Sequence, residues 1–175
     1  MKKLFIAIVI VLAGMNPAYA DQPNMASIMM TLKPRQPNWR YEVVKVHPQG
    51  IPQVIVFYEP TADGGEGPVK QVIFHENNRI QVEMDVVVID EESPVVKEWN
   101  STIVPHGMRV DFSSEGQLIK AASYQFGLLD GECRTFYGDG KIQHEANYVA
   151  GAIVGIAKSY YEDGQLKEEA NYENG

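Results

Sequence analysis

An all-β fold of consecutive antiparallel hairpins, stacked side by side into one elongated twisted sheet, is what this sequence predicts. Three observations carry the prediction. First, a phrase recurs every 24 residues in the last third of the chain: Glu115-Gly116-Gln117-Leu118, Asp139-Gly140-Lys141-Ile142 and Asp163-Gly164-Gln165-Leu166. Each copy is followed, eight residues after its glycine, by a tyrosine (Tyr124, Tyr148, Tyr172) and, eleven after, by another glycine (Gly127, Gly151, Gly175). A fixed period of roughly 20–50 residues is the signature of a repeat array. Second, the residues after each phrase alternate. Ile142, His144, Ala146 and Tyr148 share one face of a strand, and Gln143, Glu145 and Asn147 the other. Third, Asp-Gly between apolar alternating runs is a strong hairpin signal, here read as a type I′ turn whose glycine accepts positive φ.

The elements follow in chain order. Met1-Lys2-Lys3, the apolar run Leu4–Ala13 and the small-residue close Ala18-Tyr19-Ala20 read as a secretory signal peptide over residues 1–20, cleaved after Ala20. The apolar run is too short for a membrane anchor, since a spanning helix needs about 20 residues. Its twin lysines and short apolar run have a bacterial character, which places the chain in the periplasm, the outer envelope or outside the cell. Residues 21–38 carry three prolines and little periodicity, and read as a tether or irregular N-terminal cap. Residues 39–107 are β-rich, with strands expected at Arg40–Val46, Gln53–Tyr58, Val69–Phe74, Gln81–Ile89 and Val95–Trp99. They look like degenerate repeats: Gly107 stands 24 residues before Gly131, and Pro94–Trp99 falls where Leu118–Ser123 would lie one repeat on. Residues 108–175 hold the clear repeats. There the second strand of each hairpin is Glu132–Tyr137 or Ile156–Tyr161, and Gly127/Gly131 and Gly151/Gly155 turn the chain into the next unit. About ten or eleven strands result, with no helix after residue 20. The pattern reaches Gly175 where a further strand would begin, so the array either continues or leaves an open edge.

Charge and cysteine content narrow the function. The chain has 15 Lys and Arg against 23 Asp and Glu. Without Lys2 and Lys3 the basic count falls to 13, a net charge near −10. Such a surface repels nucleic acid and anionic headgroups. Cys133 is the single cysteine, so no internal disulfide forms. Its repeat-mates Arg109 and Ala157 show that the position does not require sulfur, and it reads as a small buried hydrophobe, with a reactive or intermolecular thiol as the alternative. The four histidines (His47, His75, His106, His144) have no metal-ligand spacing, and His144 aligns with Lys120 and Glu168 at a tolerant exposed position. Asp63–Pro68 lacks the Lys-Ser/Thr of a phosphate loop, and Asp90-Glu91-Glu92 lacks the alternate oxygen ligands of a calcium loop. No catalytic group, cofactor or metal site is therefore expected.

The phrase Tyr160-Tyr161-Glu162-Asp163-Gly164-Gln165-Leu166-Lys167-Glu168-Glu169, continuing to Tyr172 and Gly175, resembles the bacterial variant of the MORN repeat. That pattern pairs an aromatic doublet with an Asp-Gly turn, a Leu-Lys-Glu stretch and a Tyr-x-x-Gly close. Residues from Gly127 to Tyr148 are similar, with Phe136-Tyr137 as the doublet; the unit around Gly116 lacks it, since Ser113 follows Phe112. The resemblance implies a hairpin sheet and a binding role. Proteins of this type are often labelled the antitoxin component of a toxin–antitoxin system (YwqK-like), and another branch of the family lies against membranes and scaffolds other proteins.

The expected function is accordingly an exported, non-enzymatic interaction module for a protein partner, with a toxin or effector as the partner the resemblance implies; a self-associating or membrane-apposed scaffold is the alternative. Tyr124, Tyr148 and Tyr172 form the expected partner-binding ladder, with Tyr137 and Tyr161 added from the doublets, unless these rings only pack on one another. Gly116, Gly140, Gly164, Gly127 and Gly151 are the expected structural turn glycines.

Overall fold

Tight turns and strict alternation set the architecture. The computed structural model describes Ile28 and residues 31–173, so the expected signal peptide lies outside the described residues. Ten strands follow one another: β1 (Arg40–Val46), β2 (Pro52–Pro60), β3 (Glu66–Phe74), β4 (Ile80–Val88), β5 (Ile103–Phe112), β6 (Leu118–Gln125), β7 (Leu128–Phe136), β8 (Ile142–Val149), β9 (Ala152–Tyr160) and β10 (Leu166–Tyr172). They form a single open antiparallel sheet in which every strand pairs with its chain neighbours, in the order β1 to β10. The strands expected from Val, Ile and aromatic content in residues 40–89 are β1 to β4 within a residue or a few.

The expected strand at Val95–Trp99 is instead a helix, α1 (Pro94–Trp99). Pro94 sits in its first turn, where a missing N–H costs nothing, and Asn100 closes it in the left-handed conformation at φ 49°. Valines and a tryptophan suggested a strand, but Ser93-Pro94 and Asn100 are helix start and stop signals. The segment therefore does not occupy the place of Leu118–Ser123 in an earlier repeat.

The turn chemistry also differs from expectation. At Asp139-Gly140 the loop has three residues: Tyr137 N–H donates to the Lys141 carbonyl at 2.9 Å and Gly140 N–H to the Tyr137 carbonyl at 2.9 Å. Gly140 has φ +84° while Asp139 is not left-handed, which excludes type I′. This is a three-residue loop closed by a left-handed residue. Gly116 and Gly164 close their turns in the same way, as do Gly50, Gly64 and Asn78 earlier in the chain. Type I′ geometry lies at the other end of the repeat hairpins, where Phe126 and Gly127 have φ +48° and +86°, and Ala150 and Gly151 +47° and +88°. Gly131 and Gly155 are not turn residues. They lie inside β7 and β9 with φ +103° and +70°, where the register with the preceding strand shifts.

Five turns share one end of the meander and are tied to one another. His47 Nε2 donates to the Phe74 carbonyl (2.9 Å), His75 Nε2 to the Phe112 carbonyl (3.0 Å), Gln117 Nε2 to the Gly138 carbonyl (2.8 Å) and Tyr137 Oη to the Tyr160 carbonyl (2.7 Å). Each bond joins one turn to the next. Tyr137→Phe removes one such link without changing ring volume. It is expected to lower stability by about 1 kcal/mol, measured by chemical denaturation.

Packing is concentrated in the first half. On one face, Ile28 and Leu32 pack with Val110, Phe112, Leu118, Ala121 and Phe136. Trp39 packs with Ile55, Phe57, Val69 and Val72. The described part of the N-terminal segment thus lies across this face, held also by polar bonds. Lys33 N–H donates to Asp85 at 2.9 Å, and Arg35 pairs with Glu83 at 2.8 Å. Beneath it Lys70, 0 % exposed, reaches Asp85 at 2.7 Å and Glu83 at 3.4 Å. On the opposite face Val82, Met84 and Val86 form a third cluster. Strands β8 to β10, by contrast, contribute one buried residue, Ser159. Ladder hydrogen bonds and cross-strand pairs, at about 0.2–1 kcal/mol per pair, hold these hairpins on the packed half.

Candidate functional site

The register sorts the repeat strands into two unlike faces. One face carries a charge ladder. Arg134 stands opposite Glu145, Glu145 opposite Lys158, and Lys158 opposite Glu169. Arg134 lies 3.8 Å from Glu145 and Lys158 3.6 Å from Glu169, while Arg134 also pairs with Glu132. Tyr160 donates its hydroxyl to Glu145 at 2.6 Å, and that bond raises the phenol above its ordinary pKa. A shallow open depression here is lined by Glu132, Glu145, Asn147, Ile156 and Lys158. Charges on this face are already answered by neighbours.

The other face is apolar along its middle. Ala122 pairs with Cys133, Cys133 with Ala146, and Ala157 with Ala170, giving a row of small residues across β6 to β10. On one side of the row stand Lys120, Thr135, His144, Ser159 and Glu168. On the other stand Tyr124, Tyr148 and Tyr172. Each of these tyrosines has a glycine as cross-strand partner: Gly107, Gly131 and Gly155 respectively. The backbone beside each ring therefore carries no side chain, and the positive φ of those glycines fixes them in place of any other residue. Two strands separate successive rings, about 10 Å at the usual strand spacing.

The ladder is not uniform. Tyr124 is 8 % exposed, Tyr148 half-buried and Tyr172 39 % exposed. Helix α1 makes the difference: Trp99 meets Tyr124 edge-on, ring centres 5.8 Å apart at 80°, and Arg109 lies 5.4 Å over the indole. Burial first, then the neighbouring Cys133, holds the Tyr148 phenol above its ordinary pKa, with smaller contributions from Tyr172 and Tyr124. Tyr137 and Tyr161 are not part of this row. They begin the turns at the opposite end of the hairpins, where Tyr137 is engaged with the next turn and Tyr161 lies under Lys167 at 5.7 Å. Of the turn glycines, Gly116, Gly140 and Gly164 lie at that end, and Gly127 and Gly151 beside the ladder.

Cys133 sits in the floor of the row. Burial pushes its thiol above the ordinary value, which lowers the thiolate fraction at neutral pH. Iodoacetamide at pH 8 is expected to modify Cys133 several-fold more slowly in the folded chain than in denaturant. Equal rates in both states would place the thiol outside this environment. Among the described residues no group of three or more His, Cys, Asp and Glu is placed to hold a metal ion, and no helix is long and apolar enough to cross a membrane.

Sequence reasoning missed two features of this region: helix α1, for the reason given above, and the buried Lys70–Asp85 pair. Nothing in the sequence marks Lys70, Glu83 and Asp85 as buried partners, because the N-terminal segment that covers them has no periodicity of its own.

The hairpin β7–β8 and the hairpin β9–β10 repeat one geometry, turn for turn and bulge for bulge. The family described as the MORN repeat variant matches the chain at residues 129–150 and 153–174, one match for each hairpin. These two hairpins are MORN repeats of the variant type. The MORN repeat family points to a protein-interaction module. Around the two matched MORN hairpins, β5 and β6 keep the Gly107–Tyr124 pair and the Gly116 turn, so the same geometry runs one hairpin further back. No curated protein matches the chain. A solved structure of a protein with unknown function from Bacteroides fragilis is similar at 10 % identity, over 77 % of this chain and 94 % of that one. Its TM-score of 0.23 is too low to support any argument.

Proposed function

We propose that the protein is an exported, non-enzymatic MORN-repeat module that binds a protein partner on the tyrosine face of β7 to β10. One observation carries this reading: the two faces of the repeats differ in how far their chemistry is already satisfied. The charge ladder pairs with itself, whereas Ala146, Ala157, Ala170 and the rings of Tyr148 and Tyr172 keep part of their surface open to solvent. Tyrosine beside a small-residue floor supplies rigid apolar area with a hydroxyl at its rim, a combination favoured at interfaces. A toxin or effector is the partner class that the antitoxin label of similar proteins suggests. Export rests on the signal-like residues 1–20.

Affinity capture with residues 21–175 as bait tests the reading, comparing the native chain with Tyr148→Ala/Tyr172→Ala. A stoichiometric foreign protein, retained by the native chain and lost at least tenfold with the double variant while circular dichroism is unchanged, is the expected result. Retention by both proteins would move the site off this face.

Self-assembly is a second reading, favoured by β1. Its seven residues are all exposed, its outer edge is unpaired among the described residues, and Tyr41, Val44 and Val46 are open to solvent. Concentration-dependent oligomers in sedimentation, with only the bait recovered in capture, would favour it.

A further inference from the structure

The chain seats one aromatic ligand of its own on the tyrosine face. Trp99 and Tyr124 meet edge to face, and Trp99 donates its indole N–H to the Gly127 carbonyl at 3.0 Å. Val95, four residues earlier on the same helical turn, packs so closely on Gly127 that a Cβ there would come within 2.5 Å of Val95 Cγ1. Trp99 and Val95 therefore recognise three things at once: an aromatic ring, a turn carbonyl and a glycine with no side chain.

One repeat on, the same receptor is built again. The Phe126-Gly127 and Ala150-Gly151 turns agree in φ within 2° at both residues. Gly127 N–H donates to the Pro105 carbonyl and Gly151 N–H to the Leu129 carbonyl, each at 2.8 Å and each 24 residues apart from its counterpart. Phe126 N–H donates to His106 Nδ1 at 3.3 Å; Ala150 N–H donates to Asp130 Oδ2 at 3.1 Å, again at the equivalent position. Tyr148 stands to this turn as Tyr124 stands to the other. The surroundings differ: a Cβ on Gly151 would meet nothing within 4 Å.

We propose that Tyr148 and the Ala150-Gly151 turn form a docking subsite for a tryptophan presented by a short helical turn of a partner protein, with a small branched apolar residue four positions before it. The proposal rests on the tyrosine face being the interaction face, and it names the partner's chemistry. Tryptophan is selected because its indole joins a large apolar ring, for an edge-to-face contact with Tyr148, to an N–H donor for the Gly151 carbonyl. Valine four residues earlier falls on the same side of a helix, over the bare glycine. Cys133 stands where Arg109 stands one repeat back, so the cation over the indole is missing and binding at this single subsite is weak.

The probe is a synthetic peptide with the sequence of residues 90–102, titrated into the isotope-labelled full chain while backbone amide shifts are followed. Saturable shifts at Tyr148, Ala150 and Gly151 are expected, weakened at least tenfold when the peptide carries Trp99→Phe and likewise when the protein carries Tyr148→Leu. The peptide substitution keeps the test valid should the protein variant fail to fold. Shifts confined to Tyr124 and Gly127, meaning exchange with the chain's own helix, would overturn the proposal. So would equal binding of the Phe peptide, or no shift at millimolar peptide. If the peptide fails while a captured partner is still lost with Tyr148→Ala/Tyr172→Ala, the interaction face stands and only this ligand chemistry falls.

Discussion

Replacing Lys70 by methionine is expected to destabilise the chain by about 3–5 kcal/mol, the usual cost of removing one partner from a buried ion pair. The ammonium has no solvent exposure and sits 2.7 Å from Asp85 and 3.4 Å from Glu83. Without it, two carboxylates remain between the sheet and the N-terminal segment. Arg35 still answers Glu83, and among the described residues Asp85 keeps only the Lys33 backbone N–H. A second change, Asp85→Leu, should recover a large part of the loss in the double variant, because paired apolar residues can replace a buried ion pair at little cost. Chemical denaturation of both single variants and the double variant measures the coupling. An additive cycle would mean that Lys70 and Asp85 do not act as a pair.

Gly127→Ala should cost roughly 2–5 kcal/mol, from about 1–2 kcal/mol for the left-handed backbone and about 1–3 kcal/mol for overpacking. The new Cβ would stand 2.5 Å from Val95 Cγ1, 3.2 Å from Trp99 Nε1 and 3.3 Å from Val104 Cβ, so helix α1 must move away. Gly151→Ala is the matched comparison: its φ of +88° differs by 2° from that of Gly127, yet its surroundings are open. It should cost only the backbone term, about 1–2 kcal/mol. Equal losses in the two variants would show that helix packing contributes nothing at Gly127. Tryptophan fluorescence reports the displacement of Trp99 directly.

Much of the fold was legible because each repeat writes its strand alternation into the chain. The Tyr124, Tyr148 and Tyr172 row follows from period and parity alone. Turn type was not legible in the same way. Asp139-Gly140 has the favoured type I′ composition, yet type I′ geometry occurs at Phe126-Gly127 and Ala150-Gly151, where the residue before glycine has no intrinsic preference for positive φ. There the two-residue register of Gln125 with Leu128 and Val149 with Ala152 imposes it. The cover over Lys70 was hidden for a different reason. Ile28, Leu32 and Trp39 do their packing from a segment whose sequence has no period, and spacing carries no information there. Trp99 was visible as a residue but not as a ligand of Gly127, since a contact 28 residues away follows from tertiary placement.

The strict neighbour-to-neighbour order of the ten strands makes the molecule a ruler whose length can be edited. No strand depends on a distant one to close the sheet, so a hairpin inserted between β6 and β7 would extend it by two strand widths, about 10 Å, and disturb only the junction it enters. Gene duplication of a single 24-residue unit could thus change the reach of the tyrosine face without redesigning the packed half that anchors it.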